Sequence, residues 1–292
     1  MLAQAPQWLA SGLTLGAVYA LIALGFVMIY AVTDVINLAQ GEFVMLGALV
    51  TVSLVRAKWP LLPAAVLAVV LTMAIGAAVQ MLALRPARGA SIMTLIIITI
   101  GVSIVLRGGA LLLWGTDNYR LEPFTRGRPF ELGLATIKRQ SLWVVGTLVV
   151  CSLGLYLFFN RTMLGRGLRA CAINPTAARL MGVRPGRMAV LSFALSAGLG
   201  AVAGIVIAPE YFASYDMGFG LGLKGFVAAI VGGLTNPVGA VLGGLLIGVL
   251  EAVGGGIRGA YKEAVAFVVL LMVLLIRRFA AGAQGEASGG GL

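Results

Sequence analysis

The sequence has 292 residues, of which 60% are hydrophobic and only 11% are charged, and its formal net charge is +11. A soluble domain usually has about 25% charged residues, so this composition excludes a water-soluble protein and predicts a chain that folds within a lipid bilayer. The sequence lacks histidine, the commonest metal ligand and general base, and it has no Walker A pattern or nucleophile elbow. We therefore predict no cofactor, no metal site and no catalytic residue. The basic residues lie mainly in loops, where we interpret them as topology signals and contacts to lipid headgroups rather than as a nucleic-acid site.

Apolar windows along the chain are candidates for membrane segments, since a spanning helix needs roughly 20 apolar residues. Window 225–250 has Gly232-Gly233 and Asn236-Pro237 at its centre. Because proline disfavours helical backbone in the preceding residue, this window predicts two half-helices or a tight helical hairpin. The sequence thus predicts an all-α bundle of about eight to nine membrane segments, in one domain over 1–279 with a flexible tail at 280–292. The windows are 9–32, 35–55, 60–84, 90–114, 140–160, 188–209, 225–250 and a short last one at 264–276.

Orientation in the membrane follows less directly from charge. The loop 161–187 has six arginines and no acidic residue, which is typical of a cytoplasmic loop. The longest loop, 115–139, mixes five basic and three acidic residues and would lie on the opposite side. With the shorter loops included, the side of the membrane with loop 161–187 has eight basic residues and the opposite side has seven. The count alone therefore barely decides the orientation.

Polar residues interrupt the second window. Asn37, Gln40 and Glu42 lie in an otherwise apolar stretch, and an ionisable residue at membrane depth is costly enough to indicate a functional site. Gly41 would ease a break in the helix there. The alternative is an interfacial loop over 34–42 that precedes a shorter helix. Two further charges lie in or beside apolar windows: Arg107 would lie near the outer interface or face the bundle interior, and Glu251 closes the broken window. Both are interpreted as interfacial rather than catalytic, because helix ends tolerate charge.

The basic loop contains a predicted short helix at 176–181. Asn174-Pro175 is a typical helix start, and Gly182 is a typical stop. A short exposed helix between two spans could dock on a partner protein, whereas charge alone would favour an ordinary solvated loop.

Glycines recur at a spacing that lets helices approach closely, which predicts a compact bundle without identifying a function. The glycine pairs are Gly12/Gly16, Gly200/Gly204, Gly239/Gly243 and Gly244/Gly248.

The broken window 225–250 is another functional candidate. Half-helix ends at mid-membrane commonly line transport sites, and here they would place Asn236 and Pro237 near a pathway.

Several stretches taken together are more specific than any one alone. They are 12–25, the Asn-x-Ala-x-Gly-Glu pattern of 37–42, 101–107, Arg169-Ala-Cys, 178–182 and 229–252. In this order and spacing they resemble the inner-membrane permease subunits of bacterial branched-chain amino-acid ABC importers, over nearly the whole chain. Two departures are Gln40, where that family often has histidine, and 276–284, where it often has a Pro-x-Gly-x-x-Gly pattern.

The resemblance implies a multi-pass protein of the bacterial inner membrane, with a second permease subunit, identical or different, two cytoplasmic ATPase subunits and a periplasmic substrate-binding protein as partners, alongside membrane lipid. It implies that the loop 161–187 couples to the ATPase, which sets that loop in the cytoplasm. The implied pathway residues are Asn37, Gln40, Glu42, Asn236 and Pro237, and the implied coupling residues are Arg166, Arg169, Asn174, Ala178, Arg179 and Gly182.

Two other classes of protein remain open from the residues themselves. A secondary carrier or channel for a small polar solute such as urea or an amide would need its own coupling or binding groups in the membrane, and Glu42 is the clear candidate. A structural membrane scaffold would show no transport.

Overall fold

The computed structural model describes residues 4–87, 89–132, 135–259, 261, 264–273 and 275. The predicted tail, 280–292, and the end of the last predicted window lie outside these ranges. The described chain is a helical bundle with one small antiparallel pair of strands, β1 (Phe130–Leu132) and β2 (Ala135–Ile137), in the longest loop. Its helices are α1 (Ala5–Thr33), α2 (Gln40–Arg56), α3 (Leu61–Val79, continued by a π-helical turn Gln80–Leu84), α4 (Ile92–Trp114), α5 (Arg139–Arg161), α6 (Met163–Ile173), α7 (Pro175–Leu180), α8 (Pro185–Ile207), α9 (Met217–Gly232), α10 (Pro237–Ile257) and α11 (Ala264–Val273).

Six of the described helices are long and apolar enough to cross a membrane: α1, α3 with its π-helical turn, α4, α5, α8 and α10. Helices α9 and α11 are apolar but shorter, and α2 has 17 residues. This confirms a polytopic helical membrane protein, with a number of segments that roughly fits the prediction.

Helix α1 is the centre of the bundle. Inside its most apolar window 83% of the residues are buried, against 17% in α4 and 11% in α5. The predicted glycine pairs are where the inner helices touch: a Cβ built on Gly16 would lie 2.8 Å from Leu245 Cα, and one on Gly204 would overlap Val44 O. The outer helices α4 and α5 instead expose rows of large apolar side chains, as a lipid-facing surface does.

The chain between α1 and α2 turns back into the bundle. The Ser196 hydroxyl of α8 lies 2.8 Å from Gly25 O of α1 and 2.7 Å from Gln40 Oε1 of α2. Gly25 is eight residues, ~12 Å, before the end of α1, so α2 begins well inside the bundle. The predicted helix over 35–55 is therefore corrected, since residues 34–39 are a non-helical linker. This linker matches the alternative prediction of a loop before a shorter helix, except that it leads into the interior of the bundle instead of lying at the membrane interface.

The predicted break in the seventh window is confirmed as a helical hairpin. Helices α9 and α10 are joined by four residues, and the turn uses Gly233 at φ +96°. Asn236 Oδ1 accepts hydrogen bonds from Val238 N and Gly239 N, which caps α10. Gly232 and Gly239 lie so close that a Cβ on either would overlap the other's carbonyl oxygen.

The short helix of the basic loop is confirmed to within a residue. Asn174 Oδ1 accepts from Thr176 N and Ala177 N at the start of α7, and Gly182 at φ +85° follows its end. Helix α6 precedes it, capped by the Thr162 hydroxyl, which accepts from Gly165 N at 3.0 Å. The opposite end of the bundle carries the long loop, where Gln7 of α1 hydrogen-bonds the backbone of Thr136 in β2.

Candidate functional site

A buried ion pair joins α2 to α4. Glu42, in the first turn of α2, accepts hydrogen bonds through Oε1 from Ser103 Oγ at 2.7 Å and from Arg107 Nη2 at 2.8 Å. The Glu42 side chain is 1% exposed and that of Arg107 is 31% exposed. A carboxylate in the first turn of a helix is favoured by the helix dipole, which helps α2 to begin at this depth.

The pair lies near the middle of a membrane-spanning helix. Ser103 is eleven residues, ~17 Å, from the start of α4, which is 23 residues long. Farther back along α4, Thr99 Oγ1 accepts a hydrogen bond from Leu38 N, so the linker between α1 and α2 is tied to the same stretch of α4. Of the two positions predicted for Arg107, this contact fits the bundle interior and not the interface, because Arg107 reaches in to Glu42.

Polar atoms at this place keep unused hydrogen-bonding capacity. Among the described residues, no partner is found for Glu42 Oε2, Arg107 Nε or Asn37 Nδ2, all of which are buried. Glu42 Oε2 points at the start of α9, where a Cβ on Gly218 would lie 2.6 Å from it. The Arg107 guanidinium stacks 4.9 Å from the ring centroid of Phe219, which is 47% exposed. Helices α2, α4 and α9 thus meet at a charged point that reaches the surface through Arg107 and Phe219.

The neighbouring candidates have different contacts. Gln40 is fully buried, and its Nε2 donates to Ser196 O at 3.1 Å, so it joins α2 to α8 and α1. Asn37 is also fully buried, and its Oδ1 accepts from Ala39 N within the linker. Of the predicted pathway residues, these two and Glu42 come together.

Asn236 and Pro237 do not join them. Both are exposed at the turn of the α9–α10 hairpin. Pro237 lines an apolar groove with Met28 of α1 and Arg169 of α6, at the end of the bundle where α1 finishes.

A second buried ion pair was not anticipated from the sequence. Glu251 of α10 is fully buried, accepts from Lys224 Nζ of α9 at 2.7 Å through Oε1, and accepts from the Tyr19 hydroxyl of α1 at 2.8 Å through Oε2. The sequence predicted Glu251 as an interfacial charge, whereas its side chain is enclosed between α1, α9 and α10. Lys224 lies within α9, which begins eight residues before the predicted window. The sequence feature that could have predicted this pair is a lysine in a glycine-rich apolar stretch, Lys224, followed by an acidic residue in the next apolar stretch, Glu251.

The basic segment presents both charge and apolar surface. Arg166, Arg179 and Gly182 are exposed, whereas Ala178 is 4% exposed and packs with Leu168, Cys171 and Met188. Large apolar side chains that were not predicted as functional also stand out from this segment. Ile173, Leu180 and Met181 are 80%, 85% and 85% exposed. They could have been predicted from their position, because these apolar residues lie at the ends of two helices that are too short and too basic to span a membrane.

Comparisons with known proteins agree with this architecture. Residues 8–276 match the family described as branched-chain amino acid transport system / permease component. The chain is 36% identical to the high-affinity branched-chain amino acid transport system permease protein BraD of Pseudomonas aeruginosa, with 93% of each chain covered. It is 32% identical to the corresponding protein LivH of Escherichia coli, with 92% of each covered. In fold it is similar to PsaBC from Streptococcus pneumoniae in complex with Fab, at TM-score 0.52 and 13% identity, over 94% of this chain and 95% of that one. The chain therefore belongs to the family of branched-chain amino acid transport permeases, as an inner-membrane transporter subunit rather than an enzyme.

Proposed function

We propose that the chain is the membrane-spanning permease of an ABC importer that moves branched-chain or related amino acids across the bacterial inner membrane. The substrate class comes from what the relatives are named for. The observation in this chain that supports a transport pathway is the Glu42–Arg107 pair, a part-exposed charge held at mid-helix depth. The proposed partners are a second permease chain, identical or different, two cytoplasmic ATPase subunits and a periplasmic binding protein.

The surface around Arg107 is proposed to line the pathway. A guanidinium that is 31% exposed is costly against acyl chains at this depth, so this face of α4 and α9 is better suited to water or to the second permease chain. Arg107 and Phe219 would then contact the passing solute, and Glu42 and Asn37 would lie behind them. Gln40 would hold the start of α2 in place.

The basic segment is proposed to receive the ATPase. Its exposed apolar side chains, Ile173, Leu180 and Met181, suit a protein partner better than water, and the surrounding arginines exclude insertion into acyl chains. Arg166 and Arg179 would flank this contact, and Asn174, Ala178 and Gly182 would fix the shape of α7. Movement of the ATPase would reach the bundle through the packing of Leu168 on Met188 of α8. The turn at Asn236 and Pro237 would act as a hinge.

The pathway is tested by uptake into proteoliposomes that contain the proposed partners. Glu42→Gln and Arg107→Gln should each lower uptake per folded protein by about tenfold or more, because each leaves the partner's charge unpaired inside the bundle or at the pathway. The double variant should lose less than the two single losses combined. Lys138→Gln is the matched control, since it removes an ion pair with Glu210 at the loop end of the bundle. Normal uptake in both single variants would refute the pathway assignment.

The docking surface is tested by co-purification. Leu180→Asp should reduce the amount of ATPase that purifies with the tagged chain and should reduce ATP-driven uptake, while the melting temperature of the chain stays unchanged. Phe130→Asp, at an exposed apolar residue of β1 at the other end of the bundle, should do neither. Full ATPase recovery with Leu180→Asp would contradict the assignment.

A secondary carrier would use Glu42 as its coupling carboxylate. The ion pair with Arg107 and the hydrogen bond from Ser103 oppose this, because a coupling ion would have to displace both contacts from Glu42 Oε1. Solute movement by the chain alone in liposomes, without ATPase or ATP, would favour the carrier or channel over the importer.

A further inference from the structure

An apolar groove of about 360 Å³ lies at the end of the bundle that carries the basic segment. Its walls come from the last turns of α1 and α5 and the first turns of α10, with Met28, Leu155 and Val238 among them. Helix α6 contributes Leu168, Arg169 and Ala172. The groove is therefore lined mainly by apolar side chains, and Arg169 is the one charged residue among those that line it.

The mouth of the groove opens on a face that contacts lipid. Helix α5 has only 11% of its most apolar window buried. Trp143 and Tyr156 of α5 are 50% and 65% exposed, and they are thirteen residues, ~20 Å, apart. Exposed aromatic residues at both ends of a helix are typical of the two membrane interfaces. Tyr156 lines the groove, so the groove opens at one of these interfaces, where lipid chains meet their headgroups.

The charge of Arg169 is not neutralised within the described part of the chain. Its Nη2 donates to the neutral amide oxygen of Asn160 at 3.0 Å, and none of the ion pairs between described residues includes it. The whole segment 161–187 has no acidic residue. A guanidinium at a membrane surface matches a phosphate, which accepts two parallel hydrogen bonds from it.

We propose that this groove binds one anionic phospholipid of the cytoplasmic leaflet, with an acyl chain between α1, α5 and α10 and its phosphate on Arg169. The choice of leaflet rests on the proposed function, which puts the basic segment in the cytoplasm. The lipid bridges α6 to the turn of the α9–α10 hairpin at Thr235 and Pro237. A second permease chain over the groove is the competing occupant.

The test is native mass spectrometry of the detergent-purified full chain, with whatever subunits accompany it, titrated with phosphatidylglycerol or phosphatidylcholine. One phosphatidylglycerol should bind saturably and more tightly than phosphatidylcholine. Arg169→Gln should weaken phosphatidylglycerol about fivefold, the effect of one basic residue at an anionic surface, and should remove the preference. Arg161→Gln, an exposed arginine of the same segment outside the groove, should change neither.

A second pair of variants tests the acyl chain. Val238→Trp fills the mouth of the groove and should weaken both lipids, whereas Leu242→Trp, also exposed on α10 but outside the groove, should not. Unchanged phosphatidylglycerol binding with Arg169→Gln and Val238→Trp would overturn the proposal, as would cross-linking of Val238→Cys to a second permease chain. If phosphatidylglycerol binds as expected but no ATPase purifies with the chain, the result counts against the proposed importer function and not against the lipid site.

Discussion

Replacing Glu251 by glutamine should destabilise the chain severely. The substitution keeps the shape of the side chain but leaves the Lys224 ammonium, whose side chain is only 16% exposed, without its carboxylate. Removing one partner of a buried ion pair costs about 3–5 kcal/mol, because the remaining charge stays desolvated. For a chain of this size about 2 °C of melting temperature corresponds to 1 kcal/mol, so a fall of about 6–10 °C is expected.

The comparison with the double variant separates a lost ion pair from a general loss of packing. Lys224→Met with Glu251→Gln removes both charges, and neither remaining side chain is then an unpaired ion. Most of the lost stability should return. Tyr19→Phe removes one hydrogen bond to the carboxylate and should cost about 1.5–3 kcal/mol.

The assay is thermal unfolding of the purified chain in detergent, followed by intrinsic fluorescence, for the two single variants and the double variant. If the two charges stabilise each other as a pair, the losses of stability caused by Lys224→Met and Glu251→Gln are strongly non-additive. If the double variant melts lower than Glu251→Gln by the full amount that Lys224→Met costs alone, the two residues act independently and the explanation is refuted.

Three smaller predictions concern packing, capping and thiol chemistry. Gly204→Ala should lower the melting temperature by several degrees, because its Cβ would overlap the backbone of α2, whereas Gly101→Ala, where no described atom lies within 4 Å of the new Cβ, should not. Asn236→Ala removes the cap of α10 and should cost about 1 kcal/mol in the same assay. Burial raises the pKa of the Cys171 thiol above its usual value, so its maleimide labelling at pH 7 should be slower than that of Ala172→Cys on the same helix and should rise with pH through that raised pKa; equal rates at pH 7 would contradict this.

The extent of the bundle was predictable because hydropathy is a local property. A run of about 20 apolar residues has to cross the membrane as a helix, wherever its neighbours are. Local chemistry also predicted the turn at Asn236-Pro237 and the short helix after Asn174-Pro175, since both amide side chains cap the helix that follows.

Buried charges were not predictable in the same way. A charge ends an apolar window, so the window that became α9 was drawn from residue 225 and Lys224 was left at its edge. The residue that neutralises Lys224 lies 27 positions later in α10, and Arg107 lies 65 positions after Glu42. A hydropathy score treats each charged residue as unpaired, whereas in the folded chain Lys224 is paired with Glu251 and Glu42 with Arg107.

The two pairs share an arrangement that explains the reach of the linker into the bundle. Each pair joins a helix too short to qualify as a full span, α2 or α9, to a longer one, α4 or α10. The starts of the two short helices meet, since a Cβ on Gly41 would overlap Gly218 O and Gly222 lies beside them. Helix starts carry partial positive charge, and the Glu42 carboxylate lies where both of these starts converge. Glycine permits the approach and Glu42 offsets the positive ends, which is why a polar stretch of 37–42 can lie inside an apolar bundle and leave Arg107 at its surface.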